Sequence, residues 1–369
     1  MRKRFAFAAL LASSLVSAAS GVANAKSDET LAPGTIAIVG PVELQNDWTV
    51  RTSPGGGERS NLTTKVEPEI TFQASESVSF LLGVTLEQIA APTRGDSEAF
   101  ENQALYIKTL TANYEGDGFA FFAGKFTANF GRAWDAAPGI YGDRFAKDYE
   151  FAERWGAGGS LLFEGLPVGD IEFGASLFMV DRTALSDSWI TRRGRTTESD
   201  GGPGNTDRPT SFALSLDGVN ERVLDGVEWH LAYTHQARGE GDTGNLRGIV
   251  AGAQITLPLS ADVTATPLVE WARFDNFGGV QGADRRLWTA AVQFDWRAWQ
   301  FVAAYATRDL SDPDSGKDDD RSLELSVGFR FDNGLLAEAG WWRVEEAGES
   351  ADIIGMRLSF EFDARFRLY

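Results

Sequence analysis

Near its C-terminus the chain alternates strictly. Ile354, Met356, Leu358, Phe360, Phe362, Ala364, Phe366 and Leu368 fall on one parity, and Gly355, Arg357, Ser359, Glu361, Asp363, Arg365 and Arg367 on the other. Successive strand side chains point to opposite faces, so this run has one apolar face and one polar face. At about 3.3 Å per residue it outreaches a lipid-facing band about 25 Å tall, even when tilted.

The same period recurs elsewhere. Leu323, Leu325, Val327, Phe329 and Phe331 alternate with Glu324, Ser326, Gly328, Arg330 and Asp332; Asn333-Gly334 follows, the preferred pair for a two-residue hairpin turn. Leu335, Ala337, Ala339 and Trp341 resume one face of the next run. Val66, Ile70, Phe72 and Ala74, then Val78, Phe80, Leu82, Val84 and Leu86, do the same early in the chain. Pro68 sits within the first of these and predicts a bulge, because proline removes a ladder donor. Soluble β-sandwiches also alternate. Long strands filling the whole chain, with no helical period, point instead to a closed transmembrane barrel in which every backbone group is paired.

The N-terminus reads as an export signal. Arg2, Lys3 and Arg4 are followed by an apolar stretch from Phe5 to Val16 and by Ala23-Asn24-Ala25, a small-x-small cleavage pattern. Residues 1–25 are therefore expected to be removed, leaving 26–369 as one barrel domain. No later stretch approaches the roughly 18 apolar residues of a spanning helix. The chain has no cysteine and a formal charge of −19. So acidic a chain is a poor partner for nucleic acid, which requires a basic face. Twenty-five Phe and eleven Trp are many for such a chain; a barrel would present them to lipid and gather some at the interfaces.

A pass along the sequence gives sixteen runs: 42–52, 62–75, 77–90, 103–114, 118–130, 152–164, 170–184, 210–217, 226–237, 246–258, 262–275, 286–296, 299–309, 321–332, 335–345 and 352–368. Short connections alternate with long ones, as periplasmic turns alternate with external loops. That parity predicts both termini in the periplasm. The stretch near 218–225 is longer than its parity predicts.

One long connection, 131–151, is rich in both aromatic and charged residues. Trp134, Ile140, Tyr141, Phe145, Tyr149 and Phe151 are interspersed with Asp135, Asp143, Arg144, Lys147, Asp148 and Glu150. A loop folded against an inner wall would bury the aromatics. It follows the fifth run, and here the chain resembles the Gram-negative general porins, in which that loop folds inward and narrows the pore. AWDAAPGIYGDRF is similar to a stretch of porin-like proteobacterial proteins. The resemblance implies a passive diffusion channel for small hydrophilic solutes and ions, set in outer-membrane lipid and lipopolysaccharide as a homotrimer. It implies that Asp135, Asp143, Asp148 and Glu150 form the acidic side of the constriction. Lys125, Arg330, Arg357, Arg365 and Arg367 are the candidate basic wall, since each falls on an inward parity. The alternative is a channel selective for phosphate, a sugar or another nutrient. The chain departs from the family at its end: the outward series stops at Leu368, one residue before a terminal Tyr369 where the family carries an in-phase Phe.

Other signals point to no chemistry, cofactor or metal. Gly239-Glu240-Gly241-Asp242-Thr243-Gly244 matches a dinucleotide pattern but lies in an acidic connection, not between strand and helix. Asp312, Asp314, Asp318, Asp319 and Asp320 lack the spacing of a calcium loop. His230 and His235 are five apart on one strand, hence on opposite faces. Arg94-Gly95-Asp96 carries no assigned role. Arg192, Arg193 and Arg195 form a basic group in the longest connection, 185–209, read as solvated.

Overall fold

The computed structural model describes residues 31–53, 58–90, 92, 96–167, 169–220, 226–313 and 316–368. The signal segment 1–25, Arg94-Gly95, most of the 218–225 stretch and Tyr369 lie outside the described residues.

Sixteen strands form the wall. They are β1 (Thr35–Ser53), β2 (Arg59–Val66 with Glu69–Gln73), β3 (Val78–Gln88), β4 (Gln103–Gly116), β5 (Phe119–Phe126), β6 (Arg154–Leu166), β7 (Gly169–Val180) and β8 (Ser211–Asn220). There follow β9 (Val227–Gln236), β10 (Leu246–Ile255 with Leu257–Ser260), β11 (Val263–Asp275), β12 (Asp284–Trp296), β13 (Trp299–Asp312), β14 (Gly316–Arg330), β15 (Leu336–Glu346) and β16 (Glu349–Arg367). Each pairs antiparallel with its sequence neighbours, and β1 closes on β16 from Thr35↔Arg367 to Ser53↔Ser350. Closure leaves no sheet edge to pair with another chain or to meet lipid.

The two faces divide as the alternation requires. Phe80, Trp288, Leu325, Met356, Leu358 and Phe360 are exposed on the outside, whereas Ser79, Thr111, Ser215, Gln293 and Ser322 are buried on the inside. Apolar outside and polar inside inverts the order of a soluble protein and makes the outer face a lipid surface.

Among the boundaries that differ from the sequence reading, two have clear local reasons. β1 starts at Thr35, not 42, because Gly40 and Pro41 interrupt the pattern without ending the pairing to β16. These two residues lie opposite Glu67 and Pro68, where β2 breaks into its two pieces as the proline predicts; Val84 N–H then donates to the Pro68 carbonyl at 3.0 Å. β5 ends at Phe126, not 130, because the chain turns into the barrel, and Ala128 N–H donates to the Phe151 carbonyl at 3.0 Å.

Candidate functional site

The segment 127–153 between β5 and β6 lies inside the barrel. It contains a one-turn helix, α1 (Ala133–Ala136), and a 3-10 turn at Ala146–Tyr149. Its apolar side explains why it folds inward. Phe130, Ala133, Ile140, Tyr141, Phe145, Tyr149 and Phe151 are buried in one cluster with wall residues Phe178, Val250, Leu268, Phe274, Leu287 and Trp342. Phe130 lies 5.6 Å from Phe274 between ring centroids, and Tyr141 stacks on Trp342 at 4.6 Å. Burying one such side chain contributes about 1.5–3 kcal/mol. The inner wall of β7 to β15 is therefore apolar where the loop rests and polar elsewhere.

Carboxylates on the wall then fix the loop through its backbone. Glu270 of β11 accepts from Arg132 N–H at 2.7 Å, Ala133 N–H at 2.9 Å and the Tyr149 hydroxyl at 2.6 Å. Glu324 of β14 accepts from Ile140 N–H at 2.6 Å and Tyr141 N–H at 3.0 Å. The Tyr141 hydroxyl donates to Asp47 of β1. His230 of β9 donates from Nδ1 to Asp217 at 2.7 Å, which leaves Nε2 to accept Gly131 N–H at 2.9 Å. Asp217 also holds the Arg132 guanidinium at 2.5 Å. Two glycines are required. Gly131 (φ +76°) and Gly139 (φ +100°) adopt left-handed backbone, and a Cβ would fall 2.5 Å from the Tyr149 ring and from the Glu324 carboxylate respectively.

All four acidic residues singled out from the sequence lie in this segment, in different settings. Asp148 pairs with Arg285 of β12 at 2.9 Å and Arg308 of β13 at 3.0 Å. Glu150 pairs with Lys108 of β4 at 2.7 Å and Lys147 at 3.3 Å. Burial alone would raise the Glu150 carboxyl, but Lys108 and Lys147 outweigh it and hold the group below its ordinary range. Asp143 faces Lys147 at 3.5 Å and is partly exposed. Burial pushes Asp135 above its ordinary range, against the pull of Lys147 and Lys108.

The basic candidates scatter. Lys125 is not a lumen residue: its side chain is fully buried, bonded to Glu153 at 2.7 Å, Asp181 at 2.9 Å and the Leu185 carbonyl at 2.8 Å. Where β5 leaves the wall, the connection after β7 fills the gap: Trp189 N–H donates to the Leu105 carbonyl at 2.7 Å, and Lys125 lies beneath it. Arg357 points inward as a tether, bound to Glu338 at 2.7 Å and donating to the Gly139 carbonyl at 2.9 Å. Arg330, Arg365 and Arg367 lie toward the opposite, short-turn end, and Arg365 pairs with Asp363 at 3.0 Å. The cations that face the loop acids, Lys108, Arg285 and Arg308, were missed by the sequence reading. Arg285 and Arg308 share the inward parity of Leu287 and Ala306, a signal that was available; Lys108 turns inward through a register slip opposite Gly83 and Val84, which no alternation rule shows. Lys65, Glu67, Lys108, Glu150, Lys147 and Asp143 form a continuous alternation of charge beside the loop, with links of 2.6 Å for Lys65–Glu67 and 3.5 Å for Lys108–Glu67.

Solved structures share this architecture. The outer membrane channel DcaP of Acinetobacter baumannii superposes with a TM-score of 0.59 at 10% identity, covering 90% of this chain and 100% of that one. OmpF of Salmonella typhi, solved with daunomycin, gives 0.60 at 11% identity, covering 89% and 97%. A loop-deleted OmpT of Vibrio cholerae, an outer membrane protein, gives 0.55 at 9% identity, covering 89% and 100%. The fold is that of the outer-membrane porins. No sequence-family model matches the chain, and no curated protein matches it; the likeness is one of backbone path.

The remaining signals resolve locally. His235 faces outward and stacks on Phe212 at 5.5 Å, while His230 faces inward. The glycine-rich 239–244 stretch joins β9 to β10, and Asp242 accepts from Gly239 N–H at 2.8 Å. Arg192 pairs with Asp187 and Arg193 with Glu153, both at 2.5 Å.

Proposed function

We propose that the chain is a porin, a passive diffusion channel for small hydrophilic solutes and ions across a bacterial outer membrane. The observation that carries this is the combination of a closed barrel, lipid-facing outside and polar inside, with a loop held across its interior by wall carboxylates. Such a loop narrows the passage and sets a charged lining where solutes must pass. On this reading residues 1–25 direct export and are removed, both termini lie in the periplasm, the barrel assembles as a homotrimer in lipid and lipopolysaccharide, and nothing is catalysed. Planar-bilayer conductance of refolded residues 26–369 tests it. Ohmic single-channel steps are expected; an intact barrel that never conducts would overturn the reading.

The charge alternation through Lys65, Glu67, Lys108, Glu150, Lys147 and Asp143 favours a second reading, a channel selective for solutes that carry complementary charge. Conductance with competing solutes separates the two: block at low concentration by one solute class supports selectivity.

A further inference from the structure

Arg154 opens β6 where the inward loop rejoins the wall. It shares the parity of buried Ser160 and lies opposite buried Phe126, so its side chain is on the inner face. The guanidinium carbon is 5.6 Å from the centre of the Phe151 ring and 5.9 Å from that of Phe178. Phe126 stands edge-on to Phe178 at 6.3 Å and to Phe122 at 4.8 Å. Gly158, on the same face of β6, makes room for the Phe122 ring: a Cβ there would fall 2.5 Å from it. The cation therefore sits at the edge of a group of phenyl rings.

No carboxylate meets it. Arg154 Nε is buried without a hydrogen-bond partner, and among the described residues no hydrogen bond or ion pair reaches its terminal nitrogens. The residue as a whole is half-buried. Glu153 is the one described acid that acts on it electrostatically, and that carboxylate is engaged elsewhere. The backbone at Glu153 is left-handed (φ +55°), and its carboxylate is held by Arg193 at 2.8 Å and by Lys125 at 2.7 Å. Left-handed backbone is costly away from glycine and persists where the surroundings demand it. The cations around the loop acids differ: Lys108, Arg285, Arg308 and Arg357 each hold a carboxylate within 3.0 Å.

A guanidinium beside phenyl rings has given up part of its hydration and has no internal counter-charge, so an arriving anion stabilises it strongly. The rings attract the cation and leave the terminal nitrogens free. Two parallel N–H groups of a guanidinium match a planar carboxylate in a bidentate pair. A phosphate dianion carries a second charge that one guanidinium leaves unmet. We propose that Arg154 is a docking point for the carboxylate of small organic anions passing through the barrel. The proposal rests on the channel reading above and adds a residue and the ligand group it takes.

The test compares wild type, Arg154→Gln, Arg154→Lys and Arg144→Gln, all refolded in neutral detergent. Arg144 is an exposed cation of the inward loop, so the last variant removes one charge and leaves Arg154 in place. Thermal unfolding is followed with benzoate, inorganic phosphate or benzylamine at equal ionic strength. Benzoate is expected to raise the Tm of wild type and Arg144→Gln but not of Arg154→Gln; phosphate and benzylamine are expected to raise none. In planar bilayers, the benzoate concentration that halves the chloride-salt current should rise at least about tenfold in Arg154→Gln. It should rise less in Arg154→Lys, which keeps the charge and loses the fork. Equal responses of wild type and Arg154→Gln to benzoate, an equal response of wild type to phosphate, or an equal loss in Arg144→Gln would overturn the proposal. If Arg154→Gln does not refold, Arg154→Lys decides: a wild-type benzoate response there counts against the bidentate site. Conductance without a benzoate effect defeats this proposal alone; absence of conductance in all four proteins defeats the channel reading.

Discussion

The Tyr149 hydroxyl donates to the Glu270 carboxylate at 2.6 Å, and the same carboxylate receives the N–H groups of Arg132 and Ala133. One wall residue thus secures both the start and the end of the inward loop. Removing it strands three buried donors, at about 1–3 kcal/mol for each group left unpaired. Glu270→Ala should therefore lower the melting temperature of the detergent-solubilised barrel and increase open-channel noise. A quiet channel of wild-type conductance and stability would show that the loop is held by its apolar packing alone.

His230 secures the hinge where the loop begins. Its Nε2 accepts Gly131 N–H because Asp217 fixes the proton on Nδ1. His230→Phe keeps the volume but removes the acceptor, and should cost about 1–3 kcal/mol. His230→Gln, which can offer an amide oxygen, should recover part of the loss. Thermal unfolding followed by heat-modifiable electrophoretic mobility would rank the three proteins.

Gly139 crosses above the Glu324 carboxylate in a left-handed conformation. Gly139→Ala places a methyl group against that carboxylate and strains the backbone, at about 1–3 kcal/mol. Displacement of the loop should change single-channel conductance, whereas alanine at Gly194, where nothing lies within 4 Å of the added carbon, should leave conductance unchanged.

Asp148 neutralises Arg285 and Arg308 together. Asp148→Asn leaves two guanidinium groups without that partner inside the barrel. A unit charge about 4 Å away in water contributes about 1 kcal/mol, so the cation-to-anion permeability ratio should fall by up to about fivefold. Reversal potentials in a salt gradient measure it.

Asp135 and Glu150 should respond to acid at different points. Burial raises the Asp135 carboxyl, so as pH falls it takes up a proton earlier than an ordinary aspartate, and the lumen loses a negative charge. Lys108 and Lys147 hold Glu150 low, so it keeps its charge further into acid. For stability the signs are opposite: ionised Asp135 is a cost that lifts as pH falls through its raised value, and the contribution of Glu150 is present at neutral pH and lost only as pH falls through its lowered value. Cation preference should weaken on mild acidification in wild type, and the weakening should be absent in Asp135→Asn.

Much of the wall was legible in the sequence because a strand states its two faces residue by residue. Each of the sixteen runs has a counterpart strand, and Pro68 marks the break in β2. The inward path of the loop was legible from Tyr141, Tyr149 and Phe151, which need somewhere dry. Partnerships across the barrel were not. Glu270 and Glu324 read as ordinary members of a wet face, and only closure brings them to Arg132 and Ile140, more than a hundred residues away. Lys125 misled because it shares the side of Phe121 and lies opposite Leu110, both of which face out, and it is buried only because the connection after β7 covers it. Lys108 escaped because a register slip turns it over.

The wall carboxylates hold the loop by its amide hydrogens at Arg132, Ala133, Ile140 and Tyr141, and an amide hydrogen is the same whatever side chain follows it. Residues such as Asp143, Arg144 and Lys147 can therefore be exchanged for others while those anchors stay in place. A barrel built this way can acquire a new diet by point mutation at the eyelet, with no need to reinvent the frame that suspends it.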